Sequence, residues 1–171
     1  MNAKTPGPSV PVAERLRALV QRAKPFLLEN YGLDTRALGV YRILLGSMLI
    51  YDLTSRALYM TAHYTDDGFM PRERLLGGWS NPLFYSFHNW GGDLTSQTLL
   101  FGFAGVIALM LLVGYQTRVA TILSYILLTS VQGRNYLILQ GGDDILRTML
   151  FWSMFVPLAA RFSVDAVLRG R

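Results

Sequence analysis

The sequence predicts an all-α integral membrane protein of 171 residues, with about four transmembrane helices preceded by an amphipathic interfacial helix. Three observations carry that expectation. Hydrophobic residues make up 51% of the chain and charged ones only 16%, against about a quarter charged in ordinary soluble domains. Four apolar runs, Ala37–Leu53, Leu99–Val113, Val119–Val131 and Ile145–Ala160, recur in one small chain. A spanning helix needs about 20 mostly apolar residues, and with their flanks the runs give spans near 37–58, 95–115, 117–133 and 143–160. A soluble core could bury one such run; four would leave little surface for water. Positive charge is also sorted along the chain. Lys4, Arg15, Arg17, Arg22, Lys24 and Arg36 precede the first span, Arg118 lies in the second connection, and Arg161, Arg169 and Arg171 follow the last span. The first and third connections hold Arg56, Arg72, Arg74 and Arg134 among Asp66, Asp67, Glu73, Asp93, Asp143 and Asp144. Ten basic residues thus face four, and the positive-inside rule puts both termini in the cytoplasm. The net charge of +5 is therefore a topology signal, and no nucleic-acid partner is expected.

Residues 1–9, with "TPGPS", form a flexible lead-in. In 10–31, Val12, Leu16, Leu19, Val20 and Ala23 recur at helical spacing while Arg15, Arg17 and Arg22 occupy other faces. A cationic amphipathic helix ahead of a span belongs in the headgroup region, and Pro25 ends or kinks it. The membrane domain proper runs from 35 to 171. Its first span carries Arg42 and Asp52, ten residues or about 15 Å apart along a helix, too far to pair. Arg42, near the cytoplasmic end, could snorkel to the interface. Asp52 has Arg56 one turn later, in the favourable acid-before-base order. The long loop after it gathers Trp79, Phe84, Tyr85, Phe87 and Trp90, the composition of an interfacial aromatic belt. On the second span, Gly102, Ala104 and Gly105 permit close helix packing. On the third, Ser124, Thr129 and Ser130 suit interhelical hydrogen bonds. There is no cysteine, hence no disulfide or thiolate chemistry. His63, His88, Asp66, Asp67 and Asp93 have no metal-ligand spacing, so no metal site is expected.

The stretch "GGDDILR", residues 141–147, has two readings. As structure, Asp143 is the N-cap of the fourth helix, Asp144 sits where the helix dipole favours a carboxylate, and Arg147 can pair with either. As chemistry, adjacent carboxylates in low dielectric could share a proton, which makes Asp143, Asp144 and, inside span one, Asp52 the candidate catalytic residues. The topology sends Asp52, Arg56, Arg134, Asp143, Asp144 and Arg147 to one membrane face, where they form a buried polar network between spans one and four.

The order of landmarks, "ALGVYRILLGSMLIYDL", "YTDDGFMPR", "LLVGYQTRVATIL", "GRNYLILQGGDDILRTMLFW" and "RFSVDAVL", resembles the horizontally transferred transmembrane (HTTM) family. That family is related to the membrane part of the vitamin K-dependent γ-glutamyl carboxylase and includes bacterial members. The likeness covers roughly residues 35–168 and corresponds to the family's N-terminal portion. It implies a multi-span helical domain, here in a bacterial inner membrane. The carboxylase's chemistry is not implied with it, because the catalytic lysine belongs to a later segment and the lysines here are Lys4 and Lys24. The expectation is a non-catalytic accessory or scaffold subunit, or a maturation factor, packed against other membrane-protein subunits. The alternative is a membrane enzyme, carboxylase-like or acting on a quinone or isoprenoid lipid, with a polar pocket near the outer leaflet. Beyond such a bound lipid or quinone, no cofactor is expected.

Overall fold

A computed structural model of the chain describes residues 34–75 and 86–170. The residues from Thr35 to Arg171 form one compact unit. The expected lead-in at 1–9 and the interfacial helix at 10–31, with Arg15, Arg17 and Arg22, lie outside the described residues, as do Trp79, Phe84 and Tyr85. Within the described residues the protein is all-helical. Helix α1 runs Thr35–Ala57, α2 Met60–Tyr64, α3 Leu94–Val113, α4 Thr117–Arg134, α5 Gly141–Ser153 and α6 Val164–Arg169. Short 3-10 turns lie at Phe87–Asn89 and Tyr136–Ile138, and one helical turn at Arg72–Arg74.

Helices α1 and α3 are long and apolar enough to cross a membrane. Both bury one face and leave another, equally apolar, on the outside. On α1 the inward row is Arg42, Leu45, Gly46, Leu49 and Leu53, the three-and-four spacing of a single helix face. Val40, Leu44, Met48 and Tyr51 point outward, all at least half exposed. On α3 the inward row is Gln97, Phe101, Ala104, Ile107, Ala108 and Leu111, and Leu99, Phe103, Val106 and Leu109 are outside. A helix hydrophobic all round needs an apolar surrounding. Helix α4 packs between α3 and α5 and buries Thr117, Thr121, Ser124 and Ser130 beside Leu127, Leu128 and Val131. Its interior face is thus more polar than those of α1 and α3.

The small residues of α3 behave differently from expectation. Ala104 is buried, but Gly102 and Gly105 face open space, because the inward row passes through Phe101, Ala104 and Ala108. The close approach is made instead by Gly46 of α1, where a Cβ would come within 2.8 Å of the Leu112 backbone. The fourth helix is also shorter than 143–160. It ends at Ser153, and the amides of Met154 and Phe155 tighten onto Phe151 and Trp152 carbonyls three residues back. Pro157 disfavours helix in the residue before it and cannot donate to a continuing one. Thirteen residues make a helix about 20 Å long, less than the roughly 30 Å hydrocarbon core.

Gly46→Leu should lower the unfolding midpoint in detergent micelles, by about 1–3 kcal/mol of overpacking, whereas Gly102→Leu should leave it within about 0.5 kcal/mol. Circular dichroism melts of the two variants check the contrast; equal effects would contradict the packing described.

Candidate functional site: a shared guanidinium beside an open groove

The two ends of the helical unit are built from different charges. At one end α1 begins, α3 ends and α4 begins. Arg42 is fully buried there and does not snorkel. Its Nη1 donates to the Leu111 carbonyl at 2.6 Å and to that of Leu112, and its Nη2 donates to the Phe162 carbonyl at 2.6 Å. The C-terminal carbonyls of a helix lack intrahelical donors and carry its negative dipole end, so a cation from a neighbouring helix meets both needs. Gly114, at φ 75°, closes α3 in the left-handed conformation, and a Cβ there would run into the Arg42 guanidinium. Two residues on, α4 opens with the opposite arrangement. Asp165 accepts from the Gln116 and Thr117 amides, both at 2.8 Å, and from the Thr117 hydroxyl at 2.7 Å. Burial alone would raise the Asp165 carboxyl, but these bonds hold it below the usual carboxylate range.

At the opposite end, Arg56 is the hub. Its Nε donates to both oxygens of Asp52, at 3.0 and 2.8 Å. Its Nη1 donates to the Tyr64 hydroxyl at 3.0 Å, and its Nη2 pairs with Asp143 of α5. Asp143 is the third residue of α5 rather than its N-cap: Gln140 holds the cap position, and the Gln140 amide donates to Asp143 Oδ2 at 2.8 Å. The glycines of "GGDD" consequently lie inside the first turn. Asp143 thereby serves two ends at once, since one oxygen closes the start of its own helix and the other reaches α1. Tyr64 is completely buried against Phe101, with ring centroids 5.1 Å apart. Burial pushes its phenol up, and the Arg56 cation pulls the other way.

The remaining members of the expected network go elsewhere. Asp144 is exposed and pairs with Arg147 one turn on, a surface pair of the kind worth little. Arg147 also donates to Gln132 Oε1 at 3.4 Å, while Gln132 Nε2 donates to the Asp143 carbonyl at 3.2 Å. Arg134 joins a separate cluster. Fully buried at the end of α4, it donates to the Met70 carbonyl at 3.0 Å and lies 3.5 Å from Asp66, because the long loop folds its own carbonyl and carboxylate over that helix end. The Arg72 hydrogen bond, first among several causes, holds the Asp66 carboxyl below its ordinary value. His88 is buried and bonds Gln97 of α3 at 2.6 Å. Burial, against the hydrogen bond with Gln97, pushes its pKa down to about 4, so it packs as a neutral ring. Asp93 caps α3 through the Ser96 amide at 2.9 Å.

Beside the hub lies an open groove of about 510 Å³, lined by Met48, Tyr51, Asp52, Arg56, His63 and Asp143 among others. His63 Nδ1 is buried and has no hydrogen-bond partner among the described residues. The side chains that matter most and carried no motif are Tyr64, Gln132 and Asp165. Of these, only Asp165 was within reach of a sequence signal: Ser163 is the N-cap of α6, with its Oγ 3.0 Å from the Ala166 amide, which places Asp165 in that helix's first turn.

Replacing the hub should be costly. Arg56→Gln leaves Asp52 and Asp143 without their shared cation, and loss of one member of a buried pair costs about 3–5 kcal/mol. Arg147→Gln should cost no more than about 1 kcal/mol. Adding Asp52→Asn and Asp143→Asn to Arg56→Gln should recover much of the loss in a thermal melt; an additive further loss would show that the three do not act as one unit.

Comparison with protein-family models, characterised proteins and solved structures returns no match to this chain.

Proposed function

We propose that this chain is a membrane-embedded accessory or scaffold module of HTTM type that packs against lipid and other membrane-protein subunits. One observation carries the proposal: the ionised groups at the hub are turned onto each other, while the long helices turn large apolar side chains outward. Asp52 and Asp143 share one guanidinium, so neither stands free as an acid or base. Outward lie Leu44, Met48, Leu99, Phe103, Val119, Ile145 and Trp152. A bundle of this kind finds no hydrophobic driving force between helices in lipid and depends on close packing and interhelical polar contacts, which Gly46 and the two guanidiniums supply.

In this reading α1, α3, α4 and α5 all cross the bilayer. Helix α5 reaches from Asp143, beside Arg56, to Ser153, whose Oγ lies 3.0 Å from the Tyr41 hydroxyl of α1. Its remaining depth is completed by the turns after Ser153. Irregular backbone at that depth is tolerated where it lines a cavity, and Met154–Ala160 line one of about 460 Å³. The ends carrying Arg36, Arg118, Arg161 and Arg169 face the cytoplasm, and the hub faces outward.

A second reading is an enzyme working on a membrane-soluble lipid in the outer groove. It is favoured by the juxtaposition of a lipid-facing wall (Met48, Tyr51) with Asp52, Arg56 and the unpartnered His63 nitrogen. In that case Asp143→Asn would abolish turnover while leaving expression intact.

The cysteine-free sequence permits a direct test. Asp67→Cys should react with a membrane-impermeant maleimide in intact cells, and Tyr115→Cys only after permeabilisation. Release of the protein by alkaline carbonate, or equal labelling from outside, would overturn the membrane topology. Extraction in mild detergent separates the two functions. A particle larger than one 19.2 kDa chain in its micelle supports the module, and a monomer retaining a stoichiometric isoprenoid lipid supports the enzyme.

A further inference from the structure

The groove at the basic end is lined by Thr117, Arg118 and Thr121 of α4, the turn through Pro157, and Arg169 of α6, with a volume of about 460 Å³. Among the described residues, two arginines line this space and no carboxylate does. Asp165, the nearest acid in sequence to Arg169, has both oxygens committed to the start of α4. Arg118 has no ion-pair partner among the described residues, and the Arg169 Nε is steadied by the Asp165 carbonyl at 3.2 Å. Lining hydroxyls are turned away: Thr117 to Asp165, Thr121 to the Thr117 carbonyl and Ser153 to the Met149 carbonyl. The groove therefore offers the Arg118 guanidinium together with that of Arg169, whose Nε is bonded to the Asp165 carbonyl and whose charge also acts on Asp165.

Its flanks are apolar. Phe155 lines it and is 69% exposed, and Val119 and Ile122, next in sequence to Arg118 and Thr121, are exposed on α4. Free phosphate would use the arginines and leave those side chains uncovered. A ligand that joins an anionic head to hydrocarbon uses both. We infer that this groove binds the headgroup phosphate of an acidic phospholipid between Arg118 and Arg169, with an acyl chain along Phe155, Val119 and Ile122. Basic pockets between helices on the cytoplasmic side are where such headgroups bind. The inference rests on the membrane placement proposed above, but not on the choice between module and enzyme.

The test is native mass spectrometry of the full chain, delipidated in detergent and titrated with phosphatidylglycerol, phosphatidylcholine or inorganic phosphate. The structure predicts one saturable phosphatidylglycerol, tighter than phosphatidylcholine and not displaced by inorganic phosphate at equal concentration. A surface arginine contributes about 1 kcal/mol toward an anionic lipid, or about fivefold in affinity. Arg118→Gln and Arg169→Gln should each weaken phosphatidylglycerol binding by about that factor, while R118K/R169K retains most of it. Arg161→Gln removes the same charge from an exposed site outside the groove and should change little. Equal binding of the two lipids, or equal weakening by R161Q and R118Q, overturns the headgroup site while leaving the membrane placement standing. A protein that is soluble without detergent and takes up neither lipid removes that placement and the site with it.

Discussion

A guanidinium sealed among apolar helices must find acceptors or be expelled, since an uncompensated buried charge costs several kcal/mol. Arg42 finds three backbone carbonyls, two at the end of α3 and one at Phe162. Much else at that end is arranged around it. The chain must turn immediately after Leu112 for the carbonyls to be available, and Gly114 makes the turn in a conformation and a space that exclude a side chain. The segment around Phe162 must return to the α3–α4 corner, and there Asp165 meets the amides opening α4. A cation at the end of one helix and an anion at the start of the next each complement the local dipole. Together they fix the angle at which the chain re-enters the bundle.

The other end uses the same device with side chains as acceptors. Arg56 draws Asp52 from its own helix and Asp143 from α5, while Arg134 holds the long loop by its Met70 carbonyl. Between these ends the packing is mostly apolar, around Leu49, Leu53, Ala104, Ala108, Leu111 and Leu150, with the buried hydroxyls of α4 beside it. Shape matters there more than burial as such, because the outward faces are as apolar as the inward ones. The polar ends give register; the apolar middle gives contact. This division fits a sequence with few charges, in which Arg42 gives both its Nη groups to backbone carbonyls and Arg134 gives one.

How much of this was visible in the sequence depended on whether a residue's partner was local. Helices α1 and α3 were legible as long apolar runs, and the Asp52–Arg56 pair as an i,i+4 spacing. Asp143 and Arg56 were legible only as residues expected at one end of the unit; that they pair directly carries no sequence signal. Arg134 is legible only as lying toward the same end. It was not legible that its partners would be Met70 and Asp66, since a loop carbonyl carries no sequence signature. For the same reason the sequence leaves a snorkelling Arg42 as open as a buried one. Glycine proved ambiguous: Gly102 and Gly105 sit on an apolar helix as Gly46 does, and only the helix rotation decides which meets a neighbour. The end of α5 at Ser153 leaves no trace in the hydropathy, because the residues up to Pro157 stay apolar and hydropathy does not distinguish a helix from a turn.

Arg42 organises the corner formed by the end of α3, the start of α4 and the segment from Phe162 to Asp165. Amide hydrogen exchange of Arg42→Met, a substitution that keeps much of the side chain's length and apolar bulk, tests it most directly. Amides of Gly114–Thr117 and of Ser163–Ala166 should lose protection together, while those of Asp143–Leu146 at the far end keep theirs. Unchanged protection at the corner, or a uniform loosening of the whole unit, would contradict it.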